Sequence, residues 1–248
     1  MKVFEKTYDV LVAGGGISGA MAALSAAAEG RSTLLVERYA ALGGMATLGL
    51  VQPMTMWGIG GQYVVGGRGR KILTALHTRD PKSMTPMSRY GPACDPEYLK
   101  KCLEDTLLDC GGELLYHTWV SDIVKQDKAL TGVRVLSKSG IGHIRAKIFV
   151  DATGDADLAA GAGVPVEEDS QGITLMFLLS GIDTRACPST SEIKEIWERC
   201  KIGYRGLAIF QHPREDTVFM NVTEVEGKSG LNPRDLTDAT VECRRQAW

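Results

Sequence analysis

The chain has 248 residues, with 28 Lys plus Arg against 30 Asp plus Glu, a formal net charge of −2, 44% hydrophobic and 23% charged residues. That balance excludes disorder and collagen-like repeats, and it supplies no basic surplus for nucleic acid or an anionic membrane. Glycine is out of line at 29 residues; without a Gly-x-y period, it marks backbone that turns tightly or approaches something closely.

Tyr8 to Ala13 (YDVLVA) reads as a buried parallel strand. Three glycines follow, and then Ile17 to Ala28, with six alanines and no proline, reads as a helix that packs closely on a sheet. Gly30 stops that helix, and Ser32 to Val36 is a second strand ending at Glu37. This is a βαβ unit. The stretch between Asp9 and Glu29 carries no charge over nineteen residues, about the length of a membrane span. Its glycines, and the mixed charges of Lys2, Glu5, Lys6 and Asp9 before it, argue against a span or a signal peptide.

Ala40 to Gly67 is rich in glycine and methionine and too long for an inert connection. Arg70–His77 reads as a short helix and Ser83–Pro92 as a loop. Glu97–Cys110 reads as a helix capped by Asp95, with Pro96 first and Gly111–Gly112 beyond its end. Glu113–Trp119, Ser121–Gln126, Gly132–Ser137 and His143–Val150 read as an antiparallel meander. After Pro165, strands are expected at Thr174–Ile182 and Val218–Val222, with helices at Ser191–Lys201 and from Leu236 to Trp248. The expected fold class is α/β: a Rossmann-like, three-layer dinucleotide-binding domain over 1–165, its meander at 113–150, and part of a mixed α+β substrate domain over 166–248.

The six cysteines (94, 102, 110, 187, 200 and 243) form no C-x-x-C pair and the four histidines are scattered, so no metal site is expected. A chain of this length does not need disulfides, which points to the cytoplasm.

Gly14-Gly15-Gly16-Ile17-Ser18-Gly19 fits G-x-G-x-x-G. Gly14 permits the strand-to-helix turn, Gly16 lets a pyrophosphate reach the helix N-terminus, and Gly19 lets helix and strand pack closely. The partial positive charge of helix N–H groups suits a diphosphate. Glu37, eighteen residues beyond Gly19, is placed to accept hydrogen bonds from ribose hydroxyls and to repel a 2′-phosphate. The bland alternative is a structural glycine turn beside an exposed acid. FAD and NAD share the ADP half, so this motif does not separate them. Asp151-Ala-Thr-Gly-Asp-Ala-Asp157, read alone, is equally an acidic turn capping a helix.

Taken together, Tyr8–Glu37, Leu42-Gly43-Gly44-Met45-Ala46-Thr47 and Phe149–Asp157 resemble the FAD-dependent oxidoreductases of the glutathione-reductase-like superfamily. The resemblance extends in order through Asp95-Pro-Glu, Gly111-Gly-Glu, the meander and Asn221-Val-Thr. It implies a flavoprotein passing a hydride or electrons between FAD and a small-molecule substrate. By the same resemblance, Gly14, Gly16, Ile17, Ser18 and Gly19 hold the FAD diphosphate, Glu37 the adenosine ribose, and Arg38 flanks the adenosine. Gly43, Gly44, Met45 and Ala46 pass beside the diphosphate toward the flavin, Val120 offers backbone to the adenine, and Thr153 and Gly154 close over the nucleotide. No catalytic base is assigned, because flavin itself carries the redox chemistry. His117, Arg68, Arg70, His77 and the methionines at 45, 54, 56, 84 and 87 keep structural readings.

The family's glycine-rich C-terminal return has no counterpart after Asn221, and the last helix has no closing residue; the expectation is a chain lacking that segment. Two alternatives stay open: an NAD-dependent dehydrogenase, and a non-catalytic nucleotide-binding module. No nucleic acid or membrane partner is expected, and a homo-oligomer is left open.

Overall fold

The structure is a computed structural model that describes residues 2–54, 58–59, 62–86, 91–127, 129–167, 171–183, 195, 198–199 and 208–248. Two compact units form. One comprises Met1–Leu48, Gly66–Leu76 and Pro96–Glu167, the other Gly49–Val65, His77–Asp95 and Glu168–Trp248. The second unit therefore draws on segments well upstream of residue 166.

In the first unit, β1 (Lys2–Ala13), α1 (Ile17–Ala28) and β2 (Thr33–Val36) realise the βαβ reading. Leu11, Val12, Ala13 and Leu35 are fully buried, as strands covered on both faces require. The alanines of α1 let it lie close to β1 and β2, burying Ala20, Ala23, Leu24 and Ala27. α2 (Gly67–Arg79), of which residues 67–76 belong to this unit, buries Ile72, Leu73 and Leu76. α3 (Pro96–Asp109) packs on α1 and buries Leu99, Cys102, Leu103 and Leu107.

β5 (Glu113–Leu115), β6 (Trp119–Gln126), β7 (Ala129–Ser137) and β8 (Gly140–Asp151) complete a six-stranded sheet in the order β5-β2-β1-β8-β7-β6. β5, β2, β1 and β8 run parallel, and β8, β7 and β6 form antiparallel pairs. The meander read over 113–150 therefore needs correction. β5 leaves it to pair with β2 at the opposite edge, and the run Glu113–Trp119 breaks at His117, whose φ is 52°. That left-handed conformation ends a strand, so His117 lies in a turn and not in an apolar strand. Tyr8, Leu11, Leu34, Val36, Val133, Val135, Ile144 and Leu158 make the core.

In the second unit, β3 (Gly58–Ile59) and β4 (Gln62–Tyr63) form a small hairpin. β9 (Phe177–Ser180), β10 (Ala208–Gln211) and β11 (Thr217–Asn221) form an antiparallel sheet ordered β10-β11-β9. Phe219, Met176 and Ala93 are buried together, with Phe210 and Leu178 against them. α4 (Asp157–Gly161) belongs to the first unit and α5 (Pro233–Ala247) to the second. α5 begins three residues before the expected Leu236, because Asn232 accepts the N–H groups of Arg234 and Asp235 and Pro233 occupies the first turn. Within the expected helix Ser191–Lys201, Glu195, Glu198 and Arg199 are described and are helical; its other residues, with Met56, Met87, Cys187 and Cys200, lie outside the described residues.

Candidate functional site

Parallel pairing carries the C-terminal ends of β1, β2 and β8 to one edge of the sheet, with Ala13 opposite both Val36 and Asp151. Three segments that are far apart in sequence meet there, all within the first unit: the glycine turn after β1, residues 37–47 after β2, and residues 151–157 after β8.

Sterics specify the glycine turn. Gly14 has φ 95°, and a Cβ on it would lie 2.2 Å from the Ala152 carbonyl oxygen. A Cβ on Gly19 would lie 1.9 Å from the Gly14 oxygen. Both positions exclude any side chain. Gly15 is pinned between Leu42 and Glu37: an added Cβ would meet Leu42 Cδ2 at 2.7 Å and Glu37 Oε2 at 3.0 Å. Gly16 differs, since a Cβ there meets nothing within 4 Å. The open face of the turn is therefore at Gly16, where α1 begins without a side-chain cap and without an acidic residue in its first turn. The N–H groups of Ser18 and Gly19 have no partner among the described residues. Unspent N–H groups at a helix start, beside open space, suit an anionic group.

The segment after β2 is clasped onto this turn. The Gly43 N–H donates to the Gly15 carbonyl at 2.8 Å, and a Cβ on Gly44, whose φ is 50°, would sit 2.9 Å from Gly16 Cα. The buried Thr47 hydroxyl donates to the Leu42 carbonyl at 2.7 Å and fixes the loop. Met45 is exposed, beside the partly buried Ala46.

Glu37 is buried, and both of its oxygens are engaged. Oε2 accepts the Gly15 N–H at 2.6 Å and Oε1 the Tyr39 N–H at 2.8 Å. An ionised carboxylate offers about four acceptor sites, so lone pairs remain for further donors. Backbone bonds from Thr118 N–H to the Glu37 carbonyl and from His117 N–H to the Tyr39 carbonyl lay 37–39 alongside 117–118. Arg38 thereby meets Trp119, the first residue of β6, with its guanidinium carbon 5.1 Å from the centre of the Trp119 ring and 5.0 Å from that of the Tyr39 ring. Val120, next along β6, is partly buried against the core and faces Val135 in register.

The third segment folds around Asp151. Its Oδ1 accepts the Thr153 N–H and hydroxyl at 3.2 and 2.8 Å, and its Oδ2 accepts the Ala159 N–H at 2.9 Å. The Thr153 hydroxyl oxygen in turn accepts the Asp157 N–H at 3.0 Å. Gly154, at φ 96°, has open space around it. Burial raises the Asp157 carboxyl above its ordinary range; Asp155 and Asp151 push it the same way, against the opposing charge of Arg38.

The structure thus brings together Gly14, Gly16, Gly19, Glu37, Gly43 and Gly44 directly. Thr153 and Gly154 join them through Ala152, which abuts Gly14, and Arg38 follows Glu37. Tyr39 and Trp119 are not picked out in the sequence, because an aromatic residue near an acid or at a strand start carries no motif and their meeting depends on strand pairing; the Asp151 bonds to Thr153 and Ala159 are the acidic turn expected at 151–157. Among the described residues, no group of His, Cys, Asp and Glu is arranged to hold a metal ion.

A family model described as FAD dependent oxidoreductase matches residues 9–248. A digeranylgeranylglycerophospholipid reductase from Methanoculleus marisnigri is 26% identical over 200 residues, covering 73% of this chain and 48% of the relative. The chain thus spans about half the length of that curated relative. A geranylgeranyl bacteriochlorophyll reductase-like protein from Thermoplasma acidophilum shares the fold at TM-score 0.59 and 17% identity, over 94% of this chain and 60% of that one. A glycerol-3-phosphate dehydrogenase from Bacillus halodurans, solved with FAD, shares it at TM-score 0.54 and 17% identity, over 97% and 53%.

Proposed function

The chain belongs to the FAD-dependent oxidoreductases, and from that membership we propose that its first unit binds FAD at the glycine turn and supports transfer of a hydride or electrons to or from a small-molecule substrate. The carrying observation is the clasp of Gly43–Gly44 on Gly15–Gly16, with the Glu37 carboxylate bonded to the same turn. The residues fit the group: Gly16 leaves space where a side chain would obstruct, and the N–H groups of Ser18 and Gly19 are unspent.

When bound, FAD supplies the redox chemistry. The chain's own residues hold and orient it. Gly14, Gly16, Ile17, Ser18 and Gly19 form the diphosphate cradle, and Glu37 uses its remaining lone pairs on the adenosine ribose. Gly43, Gly44, Met45 and Ala46 run beside the diphosphate toward the flavin. Arg38 and the Val120 backbone face the adenine, while Thr153 and Gly154 cover the nucleotide. The shared ADP half leaves NAD equally compatible with the glycine turn alone; family membership selects FAD.

The second unit, in this reading, is part of the substrate side. Among the described residues, Cys94, Cys102, Cys110 and Cys243 are outside disulfides, which accords with a reducing cytoplasm, and no helix among the described residues is long and apolar enough to cross a membrane. The test is a visible spectrum. Purified protein incubated with FAD and desalted is expected to retain a flavin spectrum that a chemical reductant bleaches; protein that stays colourless overturns the reading.

A further inference from the structure

The Arg38 guanidinium lies over two half-exposed rings, its carbon 5.0 Å from the centre of the Tyr39 ring (51% exposed) and 5.1 Å from that of Trp119 (52% exposed). Among the described residues it has no carboxylate within ion-pair distance, although Asp157 is near enough for each to feel the other's charge. The Tyr39 hydroxyl and the Trp119 indole N–H have no hydrogen-bond partner among the described residues either. Three side chains with unspent polar groups converge on one exposed spot.

The arrangement is held in place from both sides. The Tyr39 N–H is fixed by Glu37 Oε1, the carboxylate that also takes Gly15. Trp119 opens β6 directly opposite Leu136, which is itself opposite Ile141, and cross-strand neighbours of this kind restrict a ring. A second anion is a poor occupant, because Asp151, Asp155 and Asp157 already make the local field acidic. A neutral, flat, electron-rich ring suits the exposed guanidinium of Arg38.

We propose that Tyr39 and Trp119 are positioning residues that hold the Arg38 guanidinium as a flat cationic face for the purine ring of the bound dinucleotide. This deepens the FAD reading and rests on it. It makes the adenosine end an anchor for the cofactor, strengthened by two rings outside the glycine motif.

The test measures FAD and ADP binding separately, by calorimetry on the flavin-free full chain. Trp119→Leu and Tyr39→Leu are each expected to weaken FAD and ADP by the same factor, roughly three- to thirtyfold. Trp119→Phe is expected to restore most of the loss, and thermal unfolding of all three variants should match the unchanged chain. Unaltered ADP affinity in both leucine variants, or ADP too weak to measure while FAD binds normally, overturns the proposal. An unchanged chain that binds neither ligand sinks the FAD reading and this proposal together, an outcome distinct from variants that bind as well as the original.

Discussion

The carboxylate of Glu37, one residue beyond β2, accepts the N–H of Gly15, two residues beyond β1, at 2.6 Å. One buried side chain thereby sets the spacing between the glycine turn and the loop that follows the second strand, because its other oxygen holds Tyr39.

Glu37→Gln is expected to weaken FAD binding roughly tenfold and to destabilise the fold by about 1–3 kcal/mol, since a carboxamide offers one acceptor oxygen to two buried N–H groups. Flavin titration and denaturant unfolding measure the two effects. Wild-type values in both would sink the assignment.

Gly16 and Gly19 are expected to part company. Gly19→Ala forces a methyl against the Gly14 carbonyl oxygen and should destabilise by about 1–3 kcal/mol or more. Gly16→Ala meets no protein atom, so it should unfold normally yet bind FAD far more weakly. Comparable loss of stability in both variants would contradict the view that Gly16 faces the ligand.

His212 predicts a pH dependence. It is almost completely buried, its Nδ1 accepts the Arg214 N–H at 3.0 Å, and its ring lies 4.9 Å from that of Phe219. Burial, with the Arg214 charge, lowers its pKa below 6.5, against opposing contributions from Asp95 and Asp216. The unfolded chain therefore binds this proton more readily than the folded one. Its contribution to stability is complete above pH 6.5 and falls away as the pH drops below that value. His212→Gln should flatten the acid limb of a stability-versus-pH curve; an unchanged limb would show that other groups set it.

Asn232 caps α5 through the N–H groups of Arg234 and Asp235. Asn232→Ala is expected to cost about 1 kcal/mol, and Asn232→Asp close to nothing. Equilibrium urea unfolding of both variants separates a cap from an incidental contact.

Much of the first unit was readable in sequence because its constraints are local. Gly14 and Gly19 leave no room for a Cβ, and the alanines of α1 must lie near a sheet. Alternation and turn residues located β6 to β8. β5 was absorbed into the meander because Glu113–Trp119 holds no glycine or proline to break it, and the left-handed His117 that divides it carries no sequence signal. The start of α5 is legible in Asn232-Pro233, a cap and a first-turn proline, three residues ahead of the expected Leu236. The Arg38 stack was not legible, since Tyr39 and Trp119 meet only through the pairing of strands distant in the chain.

The sheet order also has a temporal consequence. β1 lies at the centre of the sheet, yet one of its two neighbours, β8, comes late: Asp9 on β1 and Lys147 on β8, joined by an ion pair, are 138 residues apart. At typical synthesis rates the ribosome needs on the order of ten seconds to cover that interval. Throughout it the buried half of β1, Val10–Ala13, has one edge without a mate. Closing so long a loop is slow for a parallel pair. Yield on refolding should therefore depend on protein concentration more steeply than the native surface suggests, with loss arising while that edge waits.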